Sequence, residues 1–366
     1  MDNNQLLYFV ALQMVPNVGP SISKNLIAYC GGPENVFTEK KNHLLKIPGV
    51  GPVIASSLLE FKNFDRASLE MEFISKNKIK AIPFLDPLYP QRLRDCDDAP
   101  ILLYVKGNAD LNTPRMIGIV GTRRATEYGR KMCLRLIEEM KEYQVTIVSG
   151  LAYGIDICAH KGALQNGLPT IGVLGHGLDK IYPSEHYHIA MDMMSNGALI
   201  SEYISGTIPD RTNFPERNRI VAGMIDGLIV IESGIRGGAL ITAEYAWNYN
   251  RELFALPGKV SDEVSAGCNK LIKLNKANVV ESVNDLAYHL GWDISNTEKT
   301  KVKPDLSALK PDEKNILNIL LENNKMHIDK LAGLLSKSTS DLSLLLIELE
   351  FKGFIQALPG NYYKTS

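Results

Sequence analysis

Four times between Arg115 and about Gly258, a short apolar run ends in glycine and gives way to a helix-like segment. Met116–Val120 leads into Gly121-Thr122-Arg123-Arg124, and Thr146–Ser149 into Gly150-Leu151-Ala152-Tyr153-Gly154. Thr170–Leu174 leads into Gly175-His176-Gly177, and Gly227–Ile231 into Glu232-Ser233-Gly234-Ile235-Arg236-Gly237-Gly238. Strand, glycine loop and helix in repetition predict an α/β fold built on an open, mostly parallel, Rossmann-like sheet. In such sheets the loops gather at the carboxyl ends of the strands, where ligands bind. Backbone N–H groups at helix N-termini there suit anions such as phosphate.

The flanks of this region have a different character. Residues 1–64 are predicted to be all-helical, with two similar hairpins, Val15-Pro16-Asn17-Val18-Gly19-Pro20 and Ile47-Pro48-Gly49-Val50-Gly51-Pro52. Each resembles a helix–hairpin–helix turn, which binds a DNA phosphate through backbone N–H groups without reading sequence. The second copy fits better, because Asn17 stands in the first where glycine is usual. With five lysines against four acids in residues 1–64, a protein-docking module explains these turns equally well. Residues 65–294 form the sheet domain, approached through a helix over Ser68–Asn77 and strands near 79–84 and 101–107. Residues 295–310 are polar and aperiodic and read as a linker. Residues 311–366 pattern as three helices and a hairpin, the winged-helix arrangement.

Composition narrows the function classes. The net charge of −1 draws the chain to neither nucleic acid nor membrane as a whole, so any electrostatic site is local. Cysteines 30, 96, 133, 158 and 268 have no C-x-x-C spacing and imply reduced thiols in a reducing compartment. Leu6–Val15 is too short to span a bilayer and lacks a basic leader, so it reads as a core helix of a cytoplasmic protein. His186 and His188 have no second ligand pair, and no metal is expected. No Walker loop, dinucleotide fingerprint or G-x-S-x-G elbow is present, and no cofactor or catalytic residue is assigned.

The candidate site residues lie in the glycine-rich blocks. Arg115, Arg123, Arg124, Arg130, Lys131 and Arg135 face a lone acid, Glu127. Gly121, Thr122, Arg123 and Arg124, where strand meets helix, make a phosphate site with the helix N–H groups. Gly150 and Gly154 would let a ligand approach the backbone. Asp156 caps its helix, and Lys161 is either a phosphate contact or a solvated lysine. Arg217, Asn218 and Arg219 suit phosphate recognition, or else form an interior ion-pair network with Glu202 or Glu232. Gly237, Gly238 and Thr242 open a helix in the manner of an anion loop.

Taken in order, these blocks resemble the DprA/Smf family of bacterial DNA-processing proteins. The residues are G-T-R-R-A-T-x-Y-G at 121–129, S-G-L-A-x-G-I-D-x-x-A-H-x-G-A-L at 149–164, and the Gly175-His176-Gly177 loop with Tyr182-Pro183. F-P-x-R-N-R-I-V-A-G at 214–223, G-G-A-L-I-T-A at 237–243, A-L-P-G at 255–258 and G-C-N-x-L-I at 267–272 complete the set. The resemblance implies a non-enzymatic, homodimeric protein that binds single-stranded DNA, protects it during natural transformation and loads the RecA recombinase. It places the DNA on Arg123 and its loop, on Lys161, on Arg217 to Arg219 and on Gly237-Gly238, with Tyr128 or Tyr153 as stacking candidates. After Leu271-Ile272 the family's Gly-Ala pair is replaced by Asn275-Lys276-Ala277. The third helix of the carboxyl-terminal unit carries Asp341, Glu348 and Glu350, which predicts protein docking or weak DNA binding. The alternative is a nucleotide-binding enzyme of the phosphoribohydrolase type, in which Glu244 would be catalytic.

Overall fold

The computed structural model describes residues 3–292 and 309–365, apart from 324, 336, 353, 359 and 360. Most of the expected linker, residues 295–308, lies outside the described residues. The chain divides into two units, Met1–Trp292 and Asp293–Ser366.

The first unit is built on a nine-stranded sheet. Its strands are β1 (Lys80–Pro83), β2 (Leu102–Gly107), β3 (Met116–Val120), β4 (Thr146–Ser149), β5 (Thr170–Leu174), β6 (Ala198–Ser201), β7 (Gly227–Val230), β8 (Glu252–Ala255) and β9 (Asn278–Val279). They lie in the order β1-β2-β6-β5-β4-β3-β7-β8-β9. From β6 to β9 every pairing is parallel, and β1 and β2 extend the edge antiparallel. The mostly parallel sheet expected from the glycine-punctuated blocks is therefore present.

Alternation along the strands explains why both faces are covered. On β3, Met116 and Val120 join the core beneath the helices Asn213–Met224 and Ala239–Asn248. Ile117 and Ile119 join the opposite core with Cys133, Leu136, Ile137, Ala159 and Ala163 of the helices Glu127–Glu139 and Ile155–Gln165. Strands so enclosed read as near-continuous apolar runs. Successive strands from β3 to β6 step one way across the sheet, and β7 to β9 step the other way. The direction reverses between β3 and β7, and the loops leaving those two strands splay apart to form a crevice.

The amino-terminal residues fold as helices, chiefly Asn3–Gln13, Pro20–Cys30, Pro52–Glu60 and Phe64–Lys76. Phe9, Leu12, Leu26 and Leu58 share a core with Leu102, Tyr104 and Leu199 of the sheet. A buried Glu70 fixes the seam, accepting from Arg66 at 2.9 Å and from the Ser205 N–H at 2.9 Å. The two glycine hairpins have the same backbone. Asn17 (φ 66°) and Gly49 (φ 85°) both adopt the left-handed conformation, which asparagine tolerates better than most residues. Gly19 and Gly51 then cap helices that begin with proline.

The second unit is a winged helix. Its helices are Pro311–Asn323, Ile328–Leu335 and Thr339–Phe351, and the wing strands are Ile355–Leu358 and Tyr362–Thr365. Residues Lys325–His327 form a third strand that sequence reading misses; three residues are too few to show a period.

Candidate nucleic-acid interface

A groove of about 760 Å³ opens where the sheet reverses direction. Its walls are the loops after β3, β4 and β7 and the start of the helix Asn213–Met224. Beside it lies a smaller pocket of about 530 Å³. The two cavities share Arg123 and Arg124, which form the ridge between them.

Of the residues singled out in the sequence, Gly121, Thr122, Arg123, Arg124, Gly150, Arg217, Asn218, Gly237, Gly238 and Thr242 line the groove. Gly154 and Lys161 line the side pocket. Arg219 lines neither, which corrects its assignment. Residues 217 and 219 lie two apart on a helix, about 200° around its axis, and so cannot face the same way. Arg219 instead points inward, donating to the Asp98 carbonyl at 2.8 Å and to the Glu202 carboxylate. The interior ion-pair reading holds for this residue.

The cations differ in availability. Arg123, Arg124 and Lys161 are exposed, and among the described residues none of them forms an ion pair. The Arg123 guanidinium sits 5.7 Å from the centre of the Phe214 ring, a cation–π distance. Arg217 is buried in the groove floor. Its Nη1 donates to the Gly150 carbonyl at 2.7 Å and to that of Val173, and its Nε has no partner. It supplies positive potential from below rather than a reaching contact. Asp156 lies in the same floor; burial pushes its carboxyl up, opposed by Arg217 and by the backbone N–H groups of Ala152 and Gly150.

Two glycine loops are less open than the sequence suggests. The N-terminus of the helix Glu127–Glu139 is filled by the chain's own Glu232, which accepts from the Thr126 N–H at 2.9 Å and from the Thr126 hydroxyl. In the β4 loop the N–H groups of Ala152 and Gly150 act on the buried Asp156 carboxyl. Nor do the glycines there admit a ligand. A methyl group on Gly154 would meet the Thr122 carbonyl and the Arg123 backbone, and one on Gly150 would meet the Arg217 guanidinium 2.5 Å away. These glycines let the chain approach itself. Gly238 is different: nothing lies within 4 Å of the position its side chain would take. It caps the helix Ala239–Asn248 without a side-chain partner. At that N-terminus the Leu240 and Ile241 N–H groups turn back onto the Gly237 and Gly238 carbonyls at 3.0 and 3.1 Å, and the space beside Gly238 faces the groove.

Sequence reading missed several lining residues. Arg211, Tyr182 and Phe214 face the groove; Arg130, already counted in the basic stretch, faces the side pocket. Tyr182 stacks on Phe214 with ring centres 5.9 Å apart and planes inclined by 25°. Of the two stacking candidates, Tyr153 lies in the side pocket, whereas Tyr128 lines neither cavity and donates to the Pro257 carbonyl at 3.3 Å. Both overlooked aromatics fall in quoted blocks, but only the fold brings residues 182 and 214 together.

Comparison with known proteins follows this geometry. The family model for DNA recombination-mediator protein A matches residues 80–291, and that for the DprA winged helix domain matches residues 300–361. The chain belongs to this family of DNA-processing proteins. It is 31% identical to Protein Smf of a Synechocystis species over the full length of both chains. It is 41% identical to DNA processing protein DprA of Streptococcus pneumoniae over 61% of this chain and 77% of that one. The X-ray structure of the S. pneumoniae protein superimposes with a TM-score of 0.66, at 34% identity, over 78% of this chain and 98% of that chain. A structure of DNA processing protein A from Helicobacter pylori, described as revealing a unique single-stranded DNA binding mode, gives 0.53 at 29% identity over 59% and 97%.

Within this family framework the outlying modules divide by charge and packing. The first amino-terminal hairpin is docked on the sheet unit: Lys24 donates to the carbonyls of Cys96 and Asp97 at 3.0 and 3.1 Å, and Ser21 to Asp97 at 3.2 Å. In the second hairpin Ile47 and Val50 are buried, whereas Pro48, Gly49 and Pro52 are exposed, with Val53 beside them open to solvent. In the winged helix, Leu344 and Ile347 of the third helix are exposed near Asp341, Glu348 and Glu350. No helix among the described residues is long and apolar enough to cross a membrane.

Proposed function

We propose that the groove binds single-stranded DNA and that the protein works by holding the strand rather than by turning over a substrate. The observation that carries this reading is the arrangement of Arg123 over Phe214 at the strand ends, with Arg124, Lys161 and Arg211 alongside as exposed cations. Unpaired cations meet successive phosphates, and the Tyr182–Phe214 pair offers an aromatic surface to a base. Phosphate contacts plus stacking is the sequence-tolerant way of binding a single strand. A duplex keeps its bases stacked inside and cannot use the aromatic surface. The related H. pylori protein's single-strand binding mode supports the same reading.

Family membership carries the rest of the proposal. The protein protects incoming DNA and loads the RecA recombinase in transformation or recombination, acting in the cytoplasm as a homodimer. The position of Glu244 argues against the phosphoribohydrolase alternative. Its side chain is 58% exposed and pairs with Lys276 at 3.0 Å, outside the groove that Thr242 faces.

The test is fluorescence anisotropy with matched single- and double-stranded oligonucleotides across a salt series, beside a nucleoside monophosphate hydrolysis assay. Preference for single strands without hydrolysis is expected. Equal affinity for duplex, or turnover of the nucleotide, would overturn the reading.

A further inference from the structure

The side pocket is a trough between two helices. Gly154, Cys158, Lys161 and Gln165 line it from the helix Ile155–Gln165 and its start, at the three- and four-residue spacing of one helix face. Arg130 and Leu134, one turn apart on the helix Glu127–Glu139, line it from the other side. Its lining is apolar where it is deepest, with Ala125 and Cys158 buried and Ile157 half-buried. Tyr153 also lines it and is 42% exposed. The Tyr153 ring meets that of buried His186 edge-on, with centres 4.9 Å apart. His186 is itself anchored, its Nδ1 lying 2.8 Å from the Leu151 carbonyl oxygen. Among the described residues, four cations and no acid line the trough: Arg123, Arg124, Arg130 and Lys161.

We propose that the side pocket is a second nucleotide subsite, in which a base of the bound strand lies against Tyr153 and the apolar lining while its phosphates meet the surrounding cations. The inference rests on the single-strand reading of the groove and extends it across the ridge. Cations alone would suit any polyanion, and an apolar trough alone any small apolar group. Together they suit a planar ring that carries phosphate. The volume of about 530 Å³ falls in the range of small-ligand sites. Arg123 and Arg124 line both cavities. A phosphate held there joins a nucleotide in the groove to a nucleotide in the side pocket. A free nucleotide has the same chemistry but gains nothing from the groove.

The lining residues divide the work. Arg130 is pinned, donating to the carbonyls of Ala125 and Thr126 at 2.5 and 3.4 Å, and supplies a fixed charge. Arg124 and Lys161 are exposed and can follow a phosphate. The Gln165 amide is exposed and has no hydrogen bond among the described residues. It offers both a donor and an acceptor to a base edge. Every base has a π face and both kinds of polar group, so the subsite is sequence-tolerant. A strand crossing the ridge then has an aromatic surface on each side, Tyr182–Phe214 in the groove and Tyr153 in the side pocket.

The test uses the full chain and oligothymidylate carrying 4-thiothymidine, irradiated, digested and mapped for peptide–nucleotide adducts. Two sets of adducts are expected, one on Tyr182 or Phe214 and one on Tyr153 or the helix residues that line the side pocket. Tyr153→Ala should lose the second set, keep the first, and weaken strand binding about fivefold or more. Free 4-thiothymidine monophosphate at the same nucleotide concentration should label neither set. Adducts confined to the groove would overturn the proposal and leave the groove reading intact. No strand binding and no adduct anywhere would overturn both. Equal labelling of the side pocket by the free nucleotide would overturn its assignment to a strand. The wild-type map decides the matter even where the variant folds poorly.

Discussion

The Glu232 carboxylate occupies the space beside the Gly129 Cα: a methyl group on Gly129 would stand 2.5 Å from Glu232 Oε2. The same carboxylate caps the helix through Thr126. Both effects come from one buried side chain at the sheet's switch point. Gly129→Ala must displace it, and overpacking of this kind costs about 1–3 kcal/mol. Urea unfolding followed by Trp247 and Trp292 fluorescence, both in the sheet unit, checks the shift. A midpoint equal to wild type would show that the cap yields freely.

Arg219 is expected to be a stability residue. Removing one partner of a buried pair costs about 3–5 kcal/mol, because the other charge is left uncompensated. Arg219→Ala strands Glu202, whose carboxyl burial already pushes up against the pull of Arg219. The expected outcome is a large fall in the urea midpoint with single-strand affinity retained by the folded fraction. Lost affinity at unchanged stability would return Arg219 to the binding site.

His160 gives the sheet unit an acid-sensitive core. It is fully buried, Nδ1 is 2.7 Å from the Thr170 hydroxyl, and Nε2 has no partner. Burial, with His186 and Arg217 adding to it, lowers its pKa from 6.5 to about 3. The unfolded chain thus binds a proton that the folded chain refuses between those values. Stability is fully present above pH 6.5 and falls as pH drops toward about 3. Between pH 7 and pH 5 the loss from this residue is about 2 kcal/mol. Urea midpoints at the two pH values should differ less in His160→Asn than in wild type.

Much of this was legible from the sequence, and the part that was not has a common physical cause. The strands β3, β4, β5 and β7 announce themselves because they are enclosed on both faces, and an apolar run closed by glycine is visible without a partner. Which groups face the groove depends on helical rotation. Arg217 and Arg219 look equivalent in F-P-E-R-N-R, as do Thr242 and Glu244 in L-I-T-A-E, yet two positions on a helix place them on opposite sides. Glycine was ambiguous for a different reason. Gly154 and Gly238 both fit an anion loop on paper, but Gly154 is pressed by the chain's own Thr122 carbonyl and only Gly238 faces open space. Glu232 and Asp156, which fill two of the loops, come from other blocks or fold back on their own.

The central claim rests on Arg123 as an unpaired cation on the ridge between groove and side pocket. The measurement is the salt dependence of single-stranded oligonucleotide affinity for wild type and Arg123→Ala, with circular dichroism confirming that both are folded. One lost phosphate contact should lower the slope of log K against log salt by about 0.7 and weaken binding roughly tenfold. An Arg123→Ala protein with wild-type affinity and slope would contradict the account.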